Sequence, residues 1–498
     1  MELQFKKKPL ECLQCVMEAV RAQEQTQEVK LPEAMPDVAK VLGTWGQCVL
    51  RGKEWRGGYM GASGGVTVWV LYAPEDGTFP RVVETWIPWQ LQWDLPQTQH
   101  DGTMLVQPQI KSVDARAVSA RKLMVRVCVE ATGEALEPMR LETGIPEQLP
   151  DNIYLLRKKY PVCIPSEAGE KTLTIEEELQ LPADYADGEK LIYYSVIPQI
   201  QEQKLLGKRL LFRGTATLKG LCRNPEGKLY NFSFDVPCSQ YADLDNDWGT
   251  DAVAQVVPVV TDLELELLEG GKLQMKTSLV GQYLVCRKAL LEVVEDAYSP
   301  GAQVKLQTQP LMLPTVLETE RHLIQTVVNH ELPAGEILDT VFYASQPEQT
   351  RAEDQIRLNL AGAFQVLYLD PEQGLQSASV KWGQTQQISA DANTELVLRV
   401  TSGGCAECAR TGNGLQLRSD LLLERRAICT EAIPMVMGLE VSPLSTVGPR
   451  PGVILRRADG ESLWDMAKSC GSTEVAIRQA NGLTEEPEPG RMLLIPVI

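Results

Sequence analysis

Twelve cysteines occur in this chain of 498 residues, and four of them form two C-x-x-C pairs, Cys12/Cys15 and Cys405/Cys408. Thiolates at that spacing hold zinc or exchange disulfides, but a zinc site needs four ligands and the two pairs lie far apart in sequence. Cys12 and Cys15 sit at helical spacing and read as an apolar face, while Cys405-Ala-Glu-Cys408 lies in a Gly-rich turn between two strand-like runs. Most other cysteines fall inside apolar runs, where a reduced thiol behaves as a small hydrophobe. The only histidines are His100, His322 and His330, and none stands in a zinc-protease, triad or phosphate-loop setting. Gly57-Gly58, Gly64-Gly65 and Gly403-Gly404 read as turns. Carboxylates are plentiful, yet no pair stands out as the acid and base of a glycosidase. Glu176-Glu177-Glu178 reads as a solvated face. Trp86, Trp89 and Trp93 share one segment, and Trp89 with Trp93 offers either a sugar platform or, the weightier reading, packing between strands. No enzymatic activity, metal or cofactor is expected.

The residues best placed to bind something lie near the C-terminus. Residues 453–498 predict a short strand, two short helices and a closing strand. Ser462 with Asp465 three residues on predicts a capped helix start. Leu463, Met466 and Ala467 share one helical face. Ser472 or Thr473 caps a second helix, which Asn481-Gly482 ends in the left-handed conformation. Pro489-Gly490 then turns the chain into the apolar strand Met492–Pro496.

These residues resemble a LysM module. Asp459-Gly-Glu-Ser-Leu-Trp-Asp-Met-Ala467 is similar to the family's "GDTLW-x-IA" box, Asn481 to its second-helix asparagine, and Pro489-Gly490 with Leu494-Ile-Pro496 to its "PGQ-x-L-x-IP" ending. The resemblance implies a binding unit whose groove, between the loop before the first helix and the loop after the second, is lined by Gly460, Glu461, Ser462, Asn481, Gly482, Leu483 and Thr484. In most such modules the ligand is an N-acetylglucosamine-containing glycan. Leu463, Trp464, Ala467, Ile477 and Ile495 read as the small core, since so short a unit has little apolar area to spare. Glu485, Glu486 and Glu488 crowd one lip with charge that neutral sugar does not require and a basic protein partner would use.

The whole chain narrows the classes further. A hydrophobic fraction of 44% with 23% charged residues is that of a folded protein. Net charge is −18 and the pI about 4.9. That balance argues against nucleic acid, whose phosphates need clustered Lys and Arg. No apolar run is long enough for a membrane-spanning helix. Lys6-Lys7-Lys8 and Pro9 precede an acidic, Gln-rich segment without the apolar stretch of a signal peptide, so the protein is expected to stay in the compartment where it is made.

A repeat carries the organisation. The turns Pro74-Glu-Asp-Gly77, Pro225-Glu-Gly227 and Pro371-Glu-Gln-Gly374 each follow an apolar strand and lead into another. Val82–Ile87 and Tyr230–Val236 alternate as strands do. A period this long marks tandem domains. The fold class expected is mainly β: three tandem β-sandwich-like units over residues 31–138, 155–300 and 311–441, a linker at 442–452 and a small βααβ unit at 453–498. Residues 1–30 read as a helix packed on one unit.

This arrangement resembles the SPOCS-domain proteins of spore-forming Firmicutes. Leu31-Pro-Glu-Ala-Met-Pro-Asp-Val38 is similar to the "P-D-x-x-P-D-I" opening of their first unit, and the repeated hairpins to their core. Joined to a C-terminal LysM module, the pattern is similar to the SipL type of spore coat morphogenetic protein, a functional parallel of SpoVID. The resemblance implies a scaffold in the mother-cell cytoplasm at the forespore surface. There its LysM module docks a coat basement-layer ATPase of the SpoIVA type. The other reading is a peptidoglycan-binding lectin with the β units as spacers, which would require export.

Overall fold

The computed structural model describes residues 2–96, 100–146, 149–182, 190–332, 335–412, 414–444 and 451–498. Residues 445–450, most of the expected linker, lie outside the described residues, and Ser442 and Pro443 close a strand instead. The chain is mainly β, with two α-helices among the described residues.

One topology occurs three times. After the short strand β1 (Glu2–Gln4) comes a long strand, β2 (Lys6–Lys30). A meander follows: β3 (Val38–Arg56), β4 (Tyr59–Pro74) and β5 (Arg81–Asp94). A hairpin closes the unit: β6 (Thr103–Ser119) and β7 (Lys122–Ile145). The last strand pairs with the first, giving one sheet of order β2-β7-β6 and another of order β3-β4-β5. The second unit repeats this with β8 (Tyr154–Gln180), β9 (Lys190–Leu206), β10 (Arg209–Arg223), β11 (Leu229–Asp243), β12 (Ala252–Leu268) and β13 (Lys272–Tyr298). In the third, two strands are broken: β14 (Ala302–Glu331), β15 (Ile337–Ala344), β16 (Glu348–Ala352), β17 (Gln355–Asp370), β18 (Gly374–Ser389), β19 (Thr394–Ser402), β20 (Glu407–Thr411) and β21 (Gly414–Pro443). The long first strands start at equal intervals, at residues 6, 154 and 302. The three expected turns join the second and third meander strands, and Gly77, Gly227 and Gly374 take φ of 72°, 87° and 73°, which a side chain would resist.

Each pair of sheets encloses its own apolar layer. Val66, Val68 and Val70 of β4 face Val125, Val127 and Val129 of β7; Ala216 and Leu218 of β10 share a core with Met275 and Leu279 of β13; Leu358 and Leu360 of β17 share one with Leu417 and Leu421 of β21. These are sandwiches.

Residues 6–30 form a strand, not the expected helix, and belong to the first unit, which therefore starts before residue 31 and runs on to Ile145. Likewise the third unit begins at Ala302 rather than residue 311. The segment is rich in Glu, Gln and Lys, good helix formers, but pairing with β7 along its whole length overrides that weak preference. Its alternation was hidden because the half-buried positions carry glutamines. Gln23 accepts from the Gln90 N–H at 2.9 Å, and Gln27 reaches Thr85 Oγ1 at 3.4 Å.

A β-bulge marks the same place in every unit, between Cys15 and Met17, between Pro165 and Glu167, and between Val316 and Glu318. Beyond it the sandwich ends and the first and last strands continue as a two-stranded ribbon. The three ribbons pack together around Cys12, Val162, Ile164, Val293, Leu313 and Met435, residues drawn from all three units. Nearer the end of this stem lie Phe5, Ile153, Val294, Val436 and Leu439, where β1 extends the third unit's sheet along β21.

The meanders also meet. Trp45, Tyr193, Leu338 and Leu367 share a cluster, with Trp45 and Tyr193 stacked at 4.7 Å. At its centre Asp339 of the third unit is fully buried. Its carboxylate accepts from Trp45 Nε1 at 3.1 Å and Tyr193 Oη at 2.7 Å, and Lys219 Nζ lies 3.3 Å away. A second buried ion cluster joins the first and third units, where Glu134 holds Arg399 at 2.5 Å and also Arg426. Burial alone would push the Glu134 carboxyl up, but the two guanidiniums outweigh it and hold it below the ordinary range.

Candidate partner-binding module

The C-terminal unit consists of β22 (Val453–Arg457), α1 (Leu463–Cys470), α2 (Glu474–Asn481) and β23 (Met492–Pro496), with the two strands antiparallel. Ser462 caps α1: its hydroxyl accepts from the Asp465 N–H at 3.2 Å and donates to the Asp465 carboxylate at 2.6 Å. Glu486 satisfies another free amide of that helix end, accepting from the Leu463 N–H at 3.0 Å. Gly471 ends α1 at φ 65°. Thr473, not Ser472, caps α2 through the Ala476 N–H at 3.1 Å, and Gly482 ends it at φ 60°. Helices of eight residues do not persist alone. These two are held by a common core of Leu463, Met466, Ala467, Ile477, Leu493 and Ile495.

The structure sorts the expected groove residues into two kinds. Gly460, Ser462, Gly482 and Thr484 are exposed on the loops before α1 and after α2. Glu461, Asn481 and Leu483 are engaged inside the module. Glu461 pairs with Arg456 at 2.8 Å, and Leu483 packs on the core. The Asn481 amide donates to the carbonyls of Ile477 and Leu494, at 2.8 and 2.6 Å, and accepts from the Leu494 N–H at 2.8 Å, so it binds α2 to β23. The acidic lip divides likewise. Glu485, Glu486 and Glu488 are all exposed, but Glu486 is spent on the Leu463 N–H and on Arg478 at 2.7 Å.

Nothing in the sequence pointed to where the module sits. It rests on the second unit, at the stem end of β13, rather than on the third unit from which the chain arrives. Trp464 is buried edge-on against Tyr298 at 4.7 Å, and its Nε1 donates to Asp296 at 2.8 Å. Lys468 closes on the same carboxylate at 2.7 Å, and Tyr298 Oη donates to the Ser472 carbonyl at 3.1 Å. Trp464 is thus an interface residue as much as a core one. No protein-family model, curated protein or solved structure matches this chain.

The remaining chemical candidates separate. Cys12 and Cys15 stand three apart on a strand, which puts them on opposite faces. Cys12 packs in the stem, where burial pushes its thiol up to about 11, and Cys15 packs beside Leu136 and Cys286. All twelve thiols are free of disulfides. Among the described residues no cluster of His, Cys, Asp or Glu could hold a metal. His322 contacts Glu320 at 2.6 Å, and His330 lies farther along the same strand. Trp89 and Trp93 are packed inside the first sandwich, with Trp93 Nε1 donating to the Ala19 carbonyl at 2.9 Å. Gly64-Gly65 is not a turn but the middle of β4, where the rings of Trp89 and Trp86 lie where Cβ atoms would stand. Gly61-Ala-Ser-Gly-Gly65 also has the letters of a nucleophile elbow. Ser63 there sits on a straight strand, not on a strand-to-helix turn.

Proposed function

We propose that this chain is a non-enzymatic scaffold of spore coat morphogenesis of the SPOCS–LysM type. Its three β units form the body, and its βααβ module docks the coat basement-layer ATPase at the forespore surface. One observation carries the reading. The module is latched to the body through α1, while the loops at Gly460, Ser462, Thr484, Glu485 and Glu488 stay exposed. That leaves a binding surface presented from a rigid mount. With Asn481 and Glu486 spent within the module, the exposed loop surface has few donors for a sugar and two carboxylates for a basic protein surface.

The test is capture of the ATPase by the full-length chain from sporulating cells. Glu485→Lys with Glu488→Lys, which leaves the Glu486 cap in place, should weaken capture and its sensitivity to salt. Unchanged capture together with micromolar binding of N-acetylglucosamine oligomers would favour the lectin instead.

A further inference from the structure

The two-stranded sheet of the module is apolar on both faces. Leu493 and Ile495 point to the helices and are fully buried. Val453, Leu455, Met492 and Leu494 point the other way and are 54%, 64%, 52% and 44% exposed. Isolated two-stranded sheets are marginal in water, and a bare apolar face on one marks an interaction surface.

The two edges of that sheet differ. On β23 the Asn481 side chain takes both backbone groups of Leu494, as a neighbouring strand would, and so closes the edge. Because Leu494 turns its N–H and C=O away from β22, its partner Leu455 forms a non-hydrogen-bonded pair with it and turns its own groups outward. By strand alternation Val453 and Arg457 do the same. Among the described residues no strand pairs with that edge of β22. An open edge with exposed apolar side chains is a template for a further strand.

We propose that a partner protein adds an extended strand to β22. Its apolar side chains lie beside Val453 and Leu455, and a carboxylate lies beside Arg457. This rests on the reading that the module docks a protein, and names the docking mode. Arg457 supplies the charge argument, since its side chain is 67% exposed and the carboxylate recorded beside it, Asp459, is 3.9 Å away. A second copy of this chain is a poorer occupant, because each copy carries a net charge of −18.

The probe is a short labelled peptide alternating valine and threonine and ending in glutamate, with a lysine-ended counterpart, titrated into the full-length chain. The glutamate peptide should bind about threefold tighter than the lysine peptide, the value of one exposed ion pair. Arg457→Glu, which alters no backbone group, should reverse that order. Leu455→Pro removes an outward N–H while sparing the bonds to β23, and should weaken both peptides by about tenfold with circular dichroism unchanged. Peptide affinities that both variants leave at the wild-type level would overturn the proposal. So would a dimer of the full-length chain that Leu455→Pro abolishes, since a second copy would then be the occupant. Wild-type chain that binds the glutamate peptide in this pattern yet captures no coat ATPase would support the edge and overturn the functional reading alone.

Discussion

At the scale of residues, buried charge makes the most specific predictions. Glu18 lies near Glu134 at the junction of the first and third units, and burial followed by the Glu134 charge pushes its carboxyl up to about 7. The folded chain therefore holds a proton that the unfolded chain releases near 4.5, so this residue lowers stability as pH rises from about 4.5 to about 7. Glu18→Gln should flatten that decline, raising the melting temperature relative to wild type at pH 7.5 but not at pH 4. Asp296 is the other residue to test, because one carboxylate receives both Trp464 and Lys468. Asp296→Ala should loosen the module by about 1–3 kcal/mol. Faster hydrogen exchange in α1, with β2–β21 unaffected, would report it.

Among the elements, the long first strands are the devices that turn a sandwich into part of an assembly. Each serves its sandwich on one side of a bulge and the stem on the other. The bulge residue has no partner across the ladder, so its loss keeps every cross-strand pair and every facing, with Cys15 still opposite Leu136 and Met17 opposite Ala135. Deleting Val16 should therefore leave Cys12 in the stem core and the β3-β4-β5 meander intact, while removing the kink where ribbon and sandwich meet. The expected result is a lower melting temperature with Cys12 still unreactive toward a thiol reagent; a Cys12 that becomes reactive would contradict this register. The bulge was not legible in the sequence, because nothing about Val16, Ser166 or Leu317 distinguishes them locally.

Over the whole molecule, the shared clusters decide how the chain unfolds. Tandem units with separate cores would melt separately. Here Asp339, Trp45, Tyr193 and Lys219 tie three meanders into one buried polar centre, and the ribbons share a stem. Calorimetry of the full chain should therefore show one dominant transition for the three units. Asp339→Ala leaves Lys219 buried without its partner and should cost about 3–5 kcal/mol. Three separate transitions, or a shift confined to one of them, would show that the units are independent.

The sequence by itself determined what is local. Ser462 and Thr473 made the helix caps of the module, glycines placed the three repeated turns, and alternation marked most meander strands, because each depends on a few neighbouring residues. The repeat was visible for the same reason, since the same turn chemistry returned three times. Only the tertiary structure decided what depends on distant partners. Residues 6–30 became a strand because β7 lies alongside. Trp464 found Asp296 because the second unit's ribbon ends there. Asn481 closed one edge of the module's sheet, leaving the other edge open.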